Sequence, residues 1–358
     1  MENQKRSFCC VNTQKGLEIA AAWLGPRELA SLALTCRAMT KCVAELTERR
    51  VADVAQGLER WSVPVCNQFD SCRYPWFVYT PFCLLSTSRS SSSSFHSWGN
   101  ESSSSSSSSK ESLVDNNVSC DGMSSSLDLN GEEEEGKEQQ LLLEEEEEEE
   151  EEERPLLVME CGGACSCSSN MCGFRVTQQG LAVGVAVVRK QNTGWGLHAT
   201  QLISKGSFVC EYAGELLTTR EAQQRQKVYD IVEEAGNELK LLHKKKRRRC
   251  GSALLVLREF LPSKQACVRL NIDATRVGNV ARFINHACDG GNLLPCLVRA
   301  AGSLIPKLAF FARRDISEGE ELTYSYGSGY AGAIASKKSQ SCFCGTSCCT
   351  GMLPSDIT

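Results

Sequence analysis

Apolar positions along this chain change period twice. Over residues 15–62 they recur at helical spacing, through Leu29, Leu32, Ala33 and Cys36 and again through Val43, Leu46 and Val51. Gly25-Pro26 interrupts the first segment, and Pro26 suits the opening turn of a new helix, where its missing N–H costs nothing. Residues 86–155 carry no apolar period. Ser102–Ser109 and Glu144–Glu153 are unbroken runs with few aromatics nearby, so this stretch buries too little apolar surface to offset the entropy of ordering and reads as a disordered linker. From Val176 onward, short β-rich runs alternate with glycine-bearing turns: Leu181–Val188, Ser207–Tyr212, Cys267–Ile272, Leu308–Ala312 and Glu321–Tyr326. One helix is expected at Arg220–Val232, where Glu221, Gln224 and Tyr229 fit an amphipathic segment. The second half therefore predicts a mainly β domain of many short strands.

Charge sharpens this division. Of 358 residues, 1–154 hold 14 Lys/Arg against 28 Asp/Glu, a net of −14, and 155–358 hold 25 against 16, a net of +9. A basic second half suits an acidic partner such as nucleic acid or its packaged form, or the chain's own acidic run. Lys244–Arg249 is an unbroken basic run, readable as a nuclear address, as a DNA-steering patch or as a solvated loop. The N-terminus lacks the succession of a secretory signal, and no apolar run reaches the roughly 18 residues needed to span a bilayer, so no membrane partner is expected. A reducing compartment follows, in which clustered thiols among the 21 cysteines read as zinc ligands rather than disulfides. Scattered cysteines such as Cys36, Cys42, Cys210 and Cys267 read as small core residues.

Three strings carry the chemistry: Arg282-Phe283-Ile284-Asn285-His286-Ala287-Cys288, then Gly319-Glu320-Glu321-Leu322 running to Tyr326-Gly327, then Cys342-Phe343-Cys344 with Cys349 beyond. Earlier, Gly194-Trp195-Gly196 combines close backbone approach with an aromatic surface. In this order they resemble the RFINHxC, GEELxxxYG and CxCxxxxC elements of the SET-domain protein lysine methyltransferases. Cys210-Glu211-Tyr212-Ala213-Gly214-Glu215, Asn271-Ile272-Asp273-Ala274-Thr275 and Cys288-Asp289-Gly290-Gly291-Asn292-Leu293 are similar to the Su(var)-related plant subgroup. The resemblance covers about residues 160–358.

It implies a mainly β SET fold (a pseudoknotted β-clip) with S-adenosyl-L-methionine as methyl donor. By resemblance the donor falls to Gly194, Trp195, Gly196, Arg282, Asn285, His286 and Tyr326, and catalysis to Tyr326, Tyr212 and Tyr324. A tyrosine at 324, two before the catalytic one, implies the lower methylation states. Cys288, Cys342, Cys344 and Cys349 would hold a post-SET zinc, with Cys349 preferred to its neighbour Cys348. Cys161, Cys165, Cys167 and Cys172 resemble half of a pre-SET zinc cluster whose other half is missing. The implied layout is a helical, weakly F-box-like region at 1–85, a linker at 86–155, partial pre-SET at 156–178, SET at 179–328, a linker at 329–340 and post-SET at 341–358. The F-box likeness rests on Trp23–Leu29 and Leu34–Arg37 and implies a Skp-like adaptor as partner. The SET strings imply a histone tail or nucleosome as substrate and nuclear location, and the basic surface suits an indirect DNA contact. One departure bears on substrate: where many relatives carry Tyr-Leu-Phe-Asp-Leu-Asp on one wall of the peptide groove, this chain has Ala253-Leu254-Leu255-Val256-Leu257-Arg258. The rival expectation is a catalytically impaired chromatin adaptor.

Overall fold

The computed structural model describes Ala20 and residues 23–85, 157–163, 165–167, 172–243, 252–260, 267–327, 331–333 and 341–354. Residues 1–88 with 154–358 make one compact unit; the second, 89–153, lies outside the described residues, and the expected linker and its serine and glutamate runs lie there. The basic run Lys244–Arg249 also lies outside them.

Among the described residues the first unit has two early helices, α1 (Pro26–Ala33) and α2 (Arg37–Ala52), and Pro26 does occupy the first turn. Leu29 and Leu46 bury each other with help from Leu24, Leu32, Met39, Cys42 and Val43. The helical reading of 15–62 runs too far. The carboxylate of Asp53 accepts from the backbone N–H groups of Ala55, Gly57 and Val63, at 3.0, 2.7 and 2.9 Å, and this local alternative to helix ends α2. Cys36 is also not a core residue: it sits exposed at the N-cap of α2, whereas Cys210 is buried.

The helical region expected at 1–85 is two things. Residues 63–85 are strands and loops of the β unit: β1 (Val65–Cys66), β2 (Val78–Tyr79) and β3 (Leu84–Leu85). They pair in parallel with β5 (Val185–Lys190), β10 (Cys267–Gly278) and β8 (Gly214–Leu217). Val54, Val63, Tyr74, Phe77 and Tyr79 belong to the same buried cluster as Leu197, Phe283, Phe310 and Leu322. The F-box-like reading thus joins a helix pair to a segment that is structurally part of the β unit.

The remaining strands are β4 (Leu157–Glu160), β6 (Gly194–Ala199), β7 (Phe208–Glu211), β9 (Leu254–Phe260), β11 (Asn285–His286), β12 (Leu293–Ala300), β13 (Lys307–Ala312), β14 (Glu321–Tyr324) and β15 (Ala331–Ala333). They form three sheets, ordered β1-β5-β6-β14-β11, β15-β9-β10-β8-β3 with β2 on β10, and β4-β12-β13-β7. The expected Arg220–Val232 helix is the first half of α3 (Thr219–His243). A capping box starts it: Thr218 Oγ1 accepts from Glu221 N at 3.3 Å while Glu221 Oε2 accepts from Thr218 N at 2.9 Å.

Two pairings position the site. β14 runs antiparallel to β6 on one side, with Glu321 opposite His198, and parallel to β11 on the other, with Asn285 opposite Thr323 and His286 opposite Tyr324. Asn292 locks this arrangement, donating to Glu320 Oε1 and Glu321 O at 2.8 Å each and accepting from Thr323 N at 2.9 Å.

Candidate active site

The tyrosines Tyr212, Tyr324 and Tyr326 converge although more than a hundred residues separate the first from the others. Tyr324 is 3% exposed, its ring 4.8 Å from Phe310 and 5.0 Å from Tyr326. The Tyr326 hydroxyl donates to Ile284 O at 2.7 Å, its backbone N–H donates to His286 Nδ1 at 3.1 Å, and its ring lies 5.3 Å from the imidazole. The Tyr212 hydroxyl donates to Ala253 O at 3.0 Å. Asn279 ties the two chain segments together: Nδ2 donates to Glu211 O at 2.7 Å and Oδ1 accepts from Ala213 N at 3.3 Å. Burial pushes all three phenols well above their ordinary value; neighbouring phenols add to it at Tyr212 and Tyr324, and Glu321 and Cys342 add to it at Tyr326. They are neutral hydroxyls, not bases.

Gly194, Trp195 and Gly196 lie on β6. Gly194 has φ +85° and open space beside it, a conformation that disfavours a side chain. At Gly196 a Cβ would stand 2.6 Å from Glu321 Oε1 and 3.2 Å from Asn285 Nδ2, so glycine there lets Asn285 reach the strand. Asn285 Nδ2 donates to Trp195 O at 3.2 Å and to Glu321 Oε1 at 2.7 Å, and Lys190 Nζ lies 2.6 Å from Glu321 Oε2. The Arg282 guanidinium stacks on Phe77 at 4.8 Å and Phe283 at 5.2 Å. Its Nε and Nη1, and the Oγ1 of Thr193 next to Gly194 in the chain, are buried without a hydrogen-bond partner among the described residues. Such orphaned polar groups fit a polar ligand.

The tail thiols close on the body. Cys288, Cys342, Cys344 and Cys349 have their sulfurs all within 4.8 Å of one another, and Cys288 Sγ lies 3.2 Å from His286 Nε2. Burial pushes Cys342 up to about 12; at Cys344 burial acts the same way, yet hydrogen bonds from Thr346, the Cys288 backbone and the Cys342 thiol draw it down to about 6. Four convergent thiols suit a closed tetrahedral zinc site. Cys348 is exposed and outside the group. In the second set, Cys161, Cys167 and Cys172 converge, whereas Cys165 does not come within 4.8 Å of all three. The Arg175 guanidinium faces this group, donating to Gly162 O at 2.7 Å and approaching Cys167 Sγ at 3.7 Å.

Asp70, Phe77, Arg189, Lys190 and Glu321 border the site without having been expected there. Only Glu321 had a signal, its place in the Gly319–Gly327 string.

The SET domain family matches residues 194–327. The chain is 44% identical over 338 residues to histone-lysine N-methyltransferase SUVR3 of Arabidopsis thaliana, spanning 94% of this chain and 90% of that protein. This chain belongs to the SET-domain histone-lysine N-methyltransferases. It is also 36% identical over 208 residues to SETMAR of Mus musculus, spanning 56% of this chain and 60% of that protein. Among solved structures, Arabidopsis thaliana SUVH6 in complex with SAM shares the SET fold, with TM-score 0.52 at 23% identity over 85% of this chain and 55% of that one. The SET match begins at Gly194 and ends at Gly327, so it takes in β6, β11 and β14 but neither the strands β1–β3 nor the thiol tail.

Proposed function

We propose that this chain transfers methyl groups from S-adenosyl-L-methionine to a lysine of a histone tail, acting on chromatin in the nucleus. The observation that carries the reading is the parallel pairing of β11 with β14, which sets Asn285-His286 against Tyr324-Ser325-Tyr326. The donor, when bound, supplies an electrophilic methyl on a sulfonium. Gly194, Trp195, Gly196, Arg282, Asn285, His286 and Tyr326 would hold it: the glycines by permitting close approach, Arg282 through its unpaired N–H groups, Asn285 through its amide.

The acceptor lysine needs a free lone pair. The three neutral phenols cannot take its proton, so the pocket acts by burying the amine, which lowers its pKa, and by aiming it. Tyr326 and Tyr212 hydroxyls are fixed by Ile284 O and Ala253 O, leaving their lone pairs to orient the amine. Tyr324 narrows the same pocket and favours the lower methylation states. Cys288, Cys342, Cys344 and Cys349 hold a structural zinc that pins the tail, and Cys161, Cys167 and Cys172, with Cys165 beside Cys161, hold a second.

The histone assignment leans on the named relatives. The departing stretch lies on β9, with Leu254, Leu255, Val256 and Leu257 buried, so no acidic group faces a basic peptide there and recognition falls to other walls. Incubation of the purified chain with labelled donor and core histones, beside Tyr326→Phe, tests the proposal. Label on histone that is lost in the mutant supports it; donor binding with no transfer to any histone moves the assignment to a non-catalytic adaptor.

A further inference from the structure

The residues proposed above for the donor pocket do not stand on the SET domain alone. Arg189 and Trp195 face each other across the β5–β6 hairpin, and the guanidinium lies over the indole at 5.0 Å. A stacked guanidinium keeps its place only if its fork is held. Asp70 holds it: Oδ2 accepts from Arg189 Nε at 3.2 Å and Nη2 at 2.9 Å, and the Arg189 side chain is only 10% exposed. Asp70 is itself fixed, since its Oδ1 accepts from Asn67 Nδ2 at 2.8 Å and from Cys72 N at 2.9 Å. Beyond the indole, Trp195 O accepts from Asn285. A continuous line of contacts thus runs from Asp70 to the Asn285 amide. Further along the same segment, Phe77 lies under Arg282 and meets Phe283 edge-on at 5.5 Å. Arg282 has two buried N–H groups without a partner among the described residues, so the ring below it settles where those groups point.

We propose that residues 67–79, which precede the SET match, are a working wall of the donor pocket: Asp70 positions Trp195 through Arg189, and Phe77 positions Arg282. The proposal rests on the donor-pocket reading above. It makes donor affinity a property of a segment that touches neither the acceptor tyrosines nor the thiol tail through any of these contacts. Asp70→Asn keeps shape and removes the charge that holds the fork. Arg189→Lys keeps charge and removes both fork and planar stack. Phe77→Leu keeps apolar volume and removes the ring face, which Phe77→Tyr restores.

The test is titration of S-adenosylhomocysteine into each full-length variant by calorimetry, with donor KM, peptide KM and kcat at saturating donor, and a melting curve. Asp70→Asn, Arg189→Lys and Phe77→Leu are expected to bind about three- to tenfold more weakly, with donor KM rising in step. Peptide KM and saturated kcat stay within about twofold, since only the donor's partners have moved. Phe77→Tyr recovers the affinity. Unchanged binding in Asp70→Asn and Phe77→Leu, beside a wild type that binds, overturns the proposal alone. So does a common fall of donor affinity, peptide KM and kcat that tracks lost thermal stability, which a merely structural role would give. A wild type that takes up no S-adenosylhomocysteine overturns the donor-pocket reading and this proposal together.

Discussion

Two adjacent cysteines at the end of the chain should behave in opposite ways. Cys349 has its sulfur within 4.8 Å of those of Cys288, Cys342 and Cys344, whereas Cys348 is exposed, stands outside that group and donates to Thr346 Oγ1 at 3.8 Å. The tail's other contacts are mostly local. Within residues 341–354 Cys342 N donates to Gly351 O at 2.9 Å, Cys349 N to Thr346 O at 3.2 Å and Thr350 Oγ1 to Met352 O at 3.1 Å, Ser341 bridges Met352, and Pro354 lies against Gly327. Ordering backbone costs on the order of 1–2 kcal/mol per residue, so a stretch of this length needs roughly 15 kcal/mol or more. A structural zinc contributes about 10–16 kcal/mol, and the few remaining contacts, at about 1 kcal/mol per hydrogen bond, make up the difference. Cys349→Ser takes one of four thiolates from that zinc and should release the tail. Release matters to chemistry because Cys288 follows two residues after His286, which accepts the Tyr326 N–H. The expected result for Cys349→Ser is loss of one zinc per chain by elemental analysis, proteolytic cleavage within 328–354, and at least about a tenfold drop in methyl transfer, with the melting of the body little changed. Cys348→Ser should keep zinc, protection and rate. Equal behaviour of the two variants, or Cys349→Ser with full zinc and full rate, would refute the reasoning.

Other expectations follow from the same geometry. Tyr324→Phe should enlarge the space beside Tyr326 and shift product toward higher methylation, read by mass spectrometry; abundant trimethyl-lysine from the wild type would contradict the role given to Tyr324. Because burial holds the three phenols protonated, transfer at subsaturating peptide should rise steadily from about pH 7 to about pH 9.5, as the acceptor ammonium, ordinarily near 10.4, gives up its proton. A descending limb inside that range would mean a phenol ionises there. Lys307→Met strands the 2%-exposed Glu211 carboxylate now 2.9 Å from the ammonium. Urea denaturation should show a loss of about 2–4 kcal/mol, toward the low side for a buried pair because the lysine side chain is a third exposed, and Glu211→Gln in the same chain should recover part of it.

What could be read without coordinates divides by chemistry. The segments around Asn285, Tyr326 and the tail cysteines demand particular residue types at fixed spacing: an amide and an imidazole, a phenol two positions after another, and thiols that can meet at one metal. Such demands leave strings, and the strings were legible. Strand identity was legible where burial is continuous, as in β7 and over Leu308–Phe310 of β13. Extents were less so: β10 continues to Gly278, six residues past the expected Ile272, because β2 and β8 both pair with it and supply long-range bonds that no local pattern carries. Cys165 was grouped with Cys161, Cys167 and Cys172 through the resemblance of their string to half of a pre-SET cluster, and such a string does not say how closely each sulfur approaches the others.

The segment after α2 was illegible for a related reason. β1, β2 and β3 are two residues long, too short to show alternation, and each pairs in parallel with a strand more than a hundred residues away. Helical spacing through Val51 carried the expectation past Asp53, whose carboxylate in fact turns the chain toward the β unit. Nor do Asp70 and Phe77 have to be an aspartate and a phenylalanine by any reacting-group chemistry; they act on other side chains, so their identities are set by Arg189 and Arg282 rather than by a substrate. A site's reacting atoms can therefore be announced by a family string while its walls are not. Here one wall lies well before the string begins, which is why a boundary drawn at the SET match would cut through the pocket it is meant to enclose.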